Sequence, residues 1–373
     1  MRDSIWRHFD FWLLGAVAIL TILGITMIRS AIAGNIDLAE HAQRQLIFAV
    51  AGFVILFAVA SIDYRYWSSV SNVMYIGTAG ALVILNVVAT AVFGSARWFN
   101  LLMINIQPSE IAKIVMILVL ADFFARHHHQ MGEVRWIIRS FLMAMGIIIW
   151  IVLQPNLSTA IVMFVIWFAL LWAAGLRIKH LLLFGLIGLV VLAISLPILI
   201  QLEVIQEYQV SRVTDFLFPD EEARYGATYN VQQALISIGS GGLFGQGYGH
   251  GTQVQLRFLK VRHSDFIFSA MAEEFGLVGV SLTMLVLLFV ILRCVRAARL
   301  SMDTFGALIC YGVASLLSFQ AMVNIGVNLN MIPVTGLTLP FISYGGSSLV
   351  TNLIGIGLVE SVILRHRALE FAA

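Results

Sequence analysis

The chain has 373 residues, of which 60% are hydrophobic and only 11% charged, and its mean hydropathy is +0.94. Soluble domains carry about 25% charged residues, so most of this surface is expected to face lipid rather than water. The formal net charge of +2 is too small to indicate nucleic-acid binding. The two cysteines, Cys294 and Cys310, lie in or beside apolar stretches, which predicts inert buried thiols rather than a disulfide or a metal site.

Ten hydrophobic runs are long enough to cross about 30 Å of hydrocarbon. They lie near residues 11–32, 45–62, 72–93, 107–125, 136–153, 157–175, 181–201, 276–295, 304–327 and 341–364. The sequence therefore predicts an all-α integral membrane protein with about ten transmembrane helices. We expect these helices to form a single polytopic domain over residues 1–373.

Basic residues are distributed unevenly among the connections between these spans. With the N-terminus placed inside, the short outer connections hold only Arg44 and Arg97. The cytoplasmic connections and tails then hold Arg2, Arg7, Arg65, Arg126, Arg135, Arg139, Arg177, Lys179, Arg293, Arg296, Arg299, Arg365 and Arg367. This positive-inside bias predicts a multi-pass protein of the bacterial plasma (inner) membrane with both termini in the cytoplasm.

Residues 202–264 form one large extracytoplasmic loop in this topology. Loops beyond about 12–15 residues are usually functional or disordered, and the apolar residues of this one favour an ordered loop that packs on the bundle. Ala227–Ile238 has the pattern of a short helix, which ends at the glycine-rich run 239–242. The loop also carries cations, which either form a solvated surface or bind an anion: Arg212, Arg224, Arg257, Lys260 and Arg262.

The motif Gln107-Pro108-Ser109-Glu110-Ile111-Ala112-Lys113 opens the fourth predicted span. Glu110 and Lys113 are three residues apart, so they share one helix face and can form an ion pair. Charges inside a span are costly and mark functional sites by default. The alternative is a neutralised pair that only holds helices together.

A second motif, Arg262-His263-Ser264-Asp265-Phe266-Ile267-Phe268, lies where the outer loop meets apolar sequence. An apolar environment raises the pKa of a carboxylate, which suits Asp265 to act as a general base at neutral pH. The neighbouring cations oppose that shift and could hold an anionic leaving group. The alternative is that Ser264 or Asp265 caps the following helix.

Glu273 and Glu274 follow on the same predicted helix, or they flank a break at Gly276 that leaves 277–295 to span alone. A third motif, residues 340–348, pairs glycines with serines at the start of the last span. Such residues allow close backbone approach. Helix packing and ligand contact explain this third motif equally well.

Four stretches of the sequence, in this order, resemble motifs of the SEDS family (shape, elongation, division and sporulation proteins). They read QPSEIAK at 107–113, IGSGGLFGQGYGHGTQ at 238–253, HSDFIFSAMAEEFGLVG at 263–279 and PVTGLTLPFISYGGSS at 333–348. The resemblance extends over nearly the whole chain, and four motifs in register are specific. The short tails resemble the RodA branch of the family more than the FtsW branch, which implies a role in elongation and cell shape.

The resemblance implies a peptidoglycan glycosyltransferase that polymerises lipid II into glycan strands at the outer membrane face. It implies a class B penicillin-binding protein as partner, with lipid II, a lipid-linked glycan strand and membrane lipid as ligands. Asp265 matches the essential acidic residue of the family, and Glu110 and Lys113 match its charged pair. The predicted substrate-binding residues are Arg212, Arg257, Lys260, Arg262 and His263. A divalent cation, Mg²⁺ or Mn²⁺, could also meet the pyrophosphate charge.

Two departures from the family pattern affect this prediction. A stretch that usually contains aspartate reads Gln154-Pro155-Asn156-Leu157-Ser158-Thr159, so no carboxylate is available at position 156. Lys260-Val261 replaces a usual Pro-Glu, which adds positive charge beside Asp265. Two other functions remain open on the residues alone: a lipid II flippase, and a non-catalytic scaffold that activates a penicillin-binding protein.

Overall fold

The computed structural model describes residues 8–33, 38, 40–92, 99–101, 104–127, 134–176, 207–219 and 226–366. The predicted span near 181–201 lies outside these residues, as do Arg97 and Arg224. The helices are α1 (Phe11–Ala31), α2 (His41–Ser61), α3 (Tyr64–Val92), α4 (Pro108–His127), α5 (Val134–Leu153), α6 (Leu157–Ala173), α7 (Glu207–Leu217), α8 (Ala227–Gly241), α9 (Thr252–Gln255), α10 (Ile267–Leu300), α11 (Thr304–Asn328) and α12 (Gly346–Arg365). Two short strands, β1 (Phe99–Leu101) and β2 (Ile104–Ile106), form an antiparallel hairpin before α4.

The predicted all-α membrane class is confirmed. Seven of the helices in the described part of the chain are long and apolar enough to cross a bilayer: α1, α2, α3, α5, α10, α11 and α12. Helix α4 has 20 residues but carries four charges, and α6 has 17 residues. The protein is therefore a multi-pass membrane protein.

Helix α3 begins at Tyr64, well before the apolar run near residue 72. Its polar first turn is fixed by the carboxylate of Asp303, the residue that also caps the N-terminus of α11. The Tyr64 hydroxyl donates to Asp303 Oδ2 at 2.7 Å, and Arg65 Nε donates to the same oxygen at 3.1 Å. Hydropathy alone misses this turn, because its polar residues are held by contacts to Asp303, a residue that is distant in the sequence.

Helix α12 lies at the centre of the bundle and is almost entirely buried. It packs most extensively on α2 and also contacts α4, α10 and α11. Residues 329–345 form the loop that connects α11 to α12. This loop lies at the same end of the bundle as Asp265, because Ser343 and Tyr344 bond to the residues just before Asp265.

Helix α10 is broken at Gly276, where the backbone has φ 68° and ψ −173°. The break predicted as one alternative is thus present, and Glu273 and Glu274 precede it. The loop after α8 fills the gap in the helical hydrogen bonds. The amides of Leu277 and Val278 donate to the carbonyls of Gly242 and Leu243 at 2.9 and 3.1 Å. In the other direction, the amides of Gln246 and Gly247 donate to the carbonyls of Glu273 and Glu274.

Gly276→Ala should destabilise the protein by about 1–3 kcal/mol. The left-handed backbone disfavours any other residue, and a Cβ at this position would lie 2.3 Å from the amide nitrogen of Gly245. Gly77→Ala in α3 is the matched control, because a Cβ there meets nothing within 4 Å. The control should be neutral or slightly stabilising in unfolding of the detergent-solubilised protein. Equal stability of the two variants would contradict this role of Gly276.

Candidate active site

The backbone of Asp265 is held by two asparagines of α11. Asn324 Nδ2 and Asn328 Nδ2 donate to the Asp265 carbonyl oxygen at 3.1 and 2.9 Å. Both asparagines are almost fully buried. Asn324 also donates to the carbonyl of Leu337 at 2.8 Å, so it ties Asp265 to the loop before α12.

One of these asparagines, Asn328, also replaces a capping side chain at the start of α10. The N-cap residue is Phe266, which has no side-chain capping bond. Instead, Asn328 Oδ1 accepts from the backbone amide of Ser269 at 3.1 Å and from its hydroxyl at 2.6 Å. The alternative in which Ser264 or Asp265 caps this helix is therefore wrong, and the Asp265 carboxylate is available for other contacts.

The loop before α12 forms the opposite wall of the site. A Cβ at Gly336 would lie 3.7 Å from Asp265 Oδ2, so the absent side chain leaves space beside the carboxylate. The Ser343 hydroxyl donates to the carbonyl of Ser264 at 2.7 Å. The amide of Tyr344 donates to the carbonyl of His263 at 2.9 Å. The third sequence motif thus contacts the second directly.

Arg212 is the predicted cation whose charge acts on Asp265. Burial raises the pKa of the Asp265 carboxyl above its usual value, while a hydrogen bond from Ser264 and the charge of Arg212 act in the opposite direction. Arg212 lies on α7, and its Nη1 donates to the Thr335 carbonyl at 3.4 Å, one residue before Gly336. The site therefore pairs a partly desolvated acid with a nearby guanidinium.

The stretch that departs from the family pattern at position 156 supports this wall. Asn156 is the N-cap of α6, and its side chain accepts from the amide of Thr159 at 3.4 Å. The hydroxyl of Ser158 donates to the same Thr335 carbonyl that Arg212 contacts. Residues 156–159 thus contact the site indirectly, through the Thr335 carbonyl next to Gly336.

Arg262 anchors the loop and does not face open solvent. Its side chain is buried, and its guanidinium donates to the carbonyls of Ala31 and Leu259. Burial and the neighbouring charge of Arg257 lower its pKa. One of its donors thus holds the loop on the end of α1, and a second bonds within the loop.

His263 lies in an aromatic cluster with His41 and Tyr344, at ring-centroid distances of 5.5 and 5.7 Å. Burial, His41 and Arg262 together lower the pKa of His263 to about 4. The imidazole is thus neutral near pH 7 and contributes no positive charge to the site. Arg257 and Lys260 are both exposed on the outside of the loop.

Glu110 and Lys113 form an ion pair inside the bundle, with Nζ 2.7 Å from Oε2. The Lys113 side chain is fully buried and that of Glu110 is 10% exposed. Pro108 occupies the first position of α4, where its missing N–H leaves no partner unsatisfied. Helix α4 packs on α11 and α12, so the pair adjoins the two helices that border the Asp265 loop.

The residues that the structure describes do not by themselves form a metal site. No group of three or more His, Cys, Asp or Glu side chains in the described ranges could hold an ion together. Mg²⁺ commonly binds through one or two carboxylates together with substrate phosphates. Asp265 is the carboxylate placed to contribute to such an arrangement.

The sequence predictions name none of four site residues individually, although Thr335 and Gly336 lie within the motif at 333–348; the four are Asn324, Asn328, Thr335 and Gly336. Two asparagines four residues apart in an apolar span are a usable signal, because their amides must find partners inside the bundle. Thr335 acts through its backbone carbonyl, and no residue-type pattern reveals that contact.

The sequence profile of the FtsW, RodA and SpoVE family, described as cell cycle proteins, matches residues 10–368. The chain belongs to this family. The SEDS resemblance read from the four motifs is thereby confirmed. The family motifs at 107–113, 263–279 and 333–348 are the segments that carry the ion pair, Asp265 and the Gly336 wall.

Curated relatives are similar over almost their whole length. The chain is 35% identical to "Probable peptidoglycan glycosyltransferase FtsW" of Hydrogenovibrio crunogenus. The alignment covers 98% of this chain and 95% of that protein. It is 34% identical to "Stage V sporulation protein E" of Bacillus subtilis, with coverage of 95% and 96%. Relatives of more than one branch are thus equally similar.

Solved structures share the fold. The Thermus thermophilus rod shape determining protein RodA has a TM-score of 0.68 and 30% identity, and covers 96% of this chain and 97% of its own. A chain of a second structure, "Structural coordination of polymerization and crosslinking by a peptidoglycan synthase complex", has a TM-score of 0.75 and 29% identity. The match covers 96% of this chain and 98% of that chain.

Glu110→Gln and Lys113→Met should each destabilise the protein by about 3–5 kcal/mol, because each leaves an uncompensated buried charge. The double variant should lose less than the sum, and exchanging the two charges should recover part of the loss. Unfolding of the purified protein in detergent, arranged as a double-mutant cycle, measures the coupling.

Arg126→Gln is the matched control on the same helix. Arg126 pairs with Asp122 at 2.9 Å, but its side chain is 58% exposed, so its loss should cost about 1 kcal/mol or less. Strictly additive losses at positions 110 and 113 would exclude a direct energetic coupling.

Proposed function

We propose that this chain is a peptidoglycan glycosyltransferase that polymerises lipid II into glycan strands. The observation that carries the proposal is the Asp265 site: a half-buried carboxyl with a raised pKa, an open side at Gly336 and the charge of Arg212 nearby. The names of the similar FtsW proteins support the reaction class.

Asp265 acts as the general base in this mechanism. It takes the proton from a sugar hydroxyl of one lipid II while that oxygen attacks the anomeric carbon of the lipid-linked donor strand. The new C–O bond forms as the bond to the pyrophosphate oxygen breaks, and undecaprenyl pyrophosphate leaves with the electron pair. Direct attack opposite the leaving group inverts the anomeric centre, so no second carboxylate is required as a nucleophile.

Arg212 stabilises the negative charge that develops on the leaving pyrophosphate. Preorganised cations in a partly desolvated site are worth more than they are in water. Exposed Arg257 and Lys260 extend the positive surface toward the loop exterior. A divalent cation would be held by pyrophosphate oxygens together with Asp265, and no step above depends on one.

We propose that Asp265 lies at the outer face of the plasma (inner) membrane, with both termini in the cytoplasm; the positive-inside distribution of basic residues supports this orientation. We propose a class B penicillin-binding protein as partner, supported by the similar chain in a peptidoglycan synthase complex. The cell-shape role is supported by the similarity in fold to the rod shape determining protein RodA, whereas the similar curated relatives reported above are an FtsW protein and a sporulation protein. Complementation of rod-shape and division mutants separates elongation from division.

A lipid II flippase is the second candidate function, because Glu110 and Lys113 place a charged pair inside the bundle. Transport would use polar groups across the whole membrane depth. The contacts described above instead converge on one end of the bundle. This concentration favours catalysis.

Asp265→Asn should reduce the polymerisation rate by at least about 10², the range for loss of a general base. Folding should be retained, because the backbone carbonyl rather than the carboxylate binds Asn324 and Asn328. The assay follows glycan length from labelled lipid II in detergent, with the partner's transpeptidase blocked.

The wild-type complex is the control, tested in parallel for lipid II movement between leaflets of sealed vesicles. Polymerisation by the Asn variant at the wild-type rate would refute the general-base assignment. Wild-type protein that moves lipid II but makes no strands would establish the flippase instead.

Arg212→Gln should move the acid limb of the pH–rate profile to higher pH. The base is active when deprotonated, so the rate falls as pH drops through the raised pKa of Asp265. Removing the nearby positive charge takes away a contribution that lowers this pKa. The plateau rate should also fall, by about 10²–10³ if Arg212 contacts the leaving group.

Arg257→Gln is the matched comparison, because Arg257 is an exposed arginine of the same outer loop. Its loss should leave the acid limb in place. An acid limb that stays fixed in Arg212→Gln would show that Arg212 does not act on the charge of Asp265.

A further inference from the structure

Leu243 and Phe244 form an exposed apolar tip on the loop between α8 and α9. The Phe244 side chain is 81% exposed and that of Leu243 is 61% exposed. Contiguous exposed apolar side chains of this kind commonly mark a surface that contacts another protein or a membrane.

The tip is held rigidly in this exposed position. The carbonyls of Gly242 and Leu243 accept from the amides of Leu277 and Val278 at 2.9 and 3.1 Å. The amide of Gly245 closes the turn by donating to the carbonyl of Gly241 at 2.8 Å. The exposure is therefore built into the fold, because the backbone on both sides of the tip is bonded.

The tip continues the lipid-facing surface of α10. In the turns of α10 that follow the break at Gly276, the exposed side chains are apolar apart from Ser281. Leu277 is 60%, Val278 53%, Leu282 63% and Leu285 60% exposed. In a multi-pass membrane protein these side chains face acyl chains. Since the tip bonds to residues 277 and 278, it lies where this apolar surface ends, at the bilayer boundary.

The composition of the surrounding segment agrees with a position at the bilayer boundary. Between Arg224 and Arg257 the sequence contains no Asp, Glu, Lys or Arg. Tyr248 lies in this segment, and its hydroxyl donates to the carbonyl of Thr26 at 2.9 Å. Aromatic residues with one polar end are typical of membrane interfaces.

We infer that Leu243 and Phe244 insert into the lipid bilayer at its boundary on the Asp265 side. The occupant of this apolar tip is lipid, because its surface is continuous with the acyl-facing side of α10 and lacks charge. The tip is bonded through α10 to the segment that begins beside Asp265, so insertion fixes the depth of that carboxylate. This last consequence rests on the proposed function, whereas the insertion itself does not.

Site-directed spin labelling of Phe244→Cys in nanodiscs tests the insertion. The native cysteines Cys294 and Cys310 are buried and free, so they leave the new thiol as the reactive one. Collision rates with oxygen and with a water-soluble nickel chelate report depth. Labels at Leu282→Cys and Lys260→Cys serve as acyl and aqueous references. We expect oxygen to dominate at position 244, as it does at 282.

Nickel collisions at position 244 equal to those at 260 would place the tip in water and overturn the inference. An immobile label shielded from both reagents would indicate a protein contact and would also overturn it. Gel filtration checks that each labelled variant is folded. Leu243→Cys provides the same measurement at the adjacent tip residue if Phe244→Cys does not fold.

Discussion

The hydrogen bonds from Asn324 and Asn328 to the carbonyl of Asp265 are the interaction on which the site depends. In a membrane protein, a backbone group left without a partner near the apolar region is costly. Each asparagine side chain has both donors and an acceptor. The pair can therefore join three segments at once: the residue before α10, the first turn of α10 and the loop at Leu337.

The break at Gly276 follows the same logic of satisfied backbone groups. An interrupted helix exposes amides and carbonyls that need partners, and the loop after α8 supplies them. Only a residue without Cβ fits there, because the backbone is left-handed and the loop approaches closely. The first part of α10 is thus set as a separate short helix, which the asparagines fix at one end and the glycine loop at the other.

The sequence predicts the parts of this protein that rest on periodicity and charge, and fails where contacts join distant segments. Apolar runs identify the membrane class, and spacing identifies the 2.7 Å pair of Glu110 and Lys113. The early start of α3 is missed because Asp303, far away in sequence, holds its polar turn. The different environments of Arg212 and Arg262 could not be predicted either, since both are basic residues of one loop and only packing separates them.

The different environments of Arg212 and Arg262 bear on how the Asp265 carboxyl could act as the proposed base at the boundary of an apolar region. Burial raises the pKa of Asp265 and so favours its protonated form, and a protonated acid cannot act as a base. Several nearby cations would lower its pKa and make it a weak base. Arg262 is buried with two donors on backbone carbonyls, and His263 is neutral near pH 7. The pKa of Asp265 is instead lowered by a hydrogen bond from Ser264 and by the charge of Arg212. Burial thus raises the pKa of the Asp265 carboxyl, while the Ser264 hydrogen bond and the Arg212 charge oppose that shift, and the proposed general base requires such a balance.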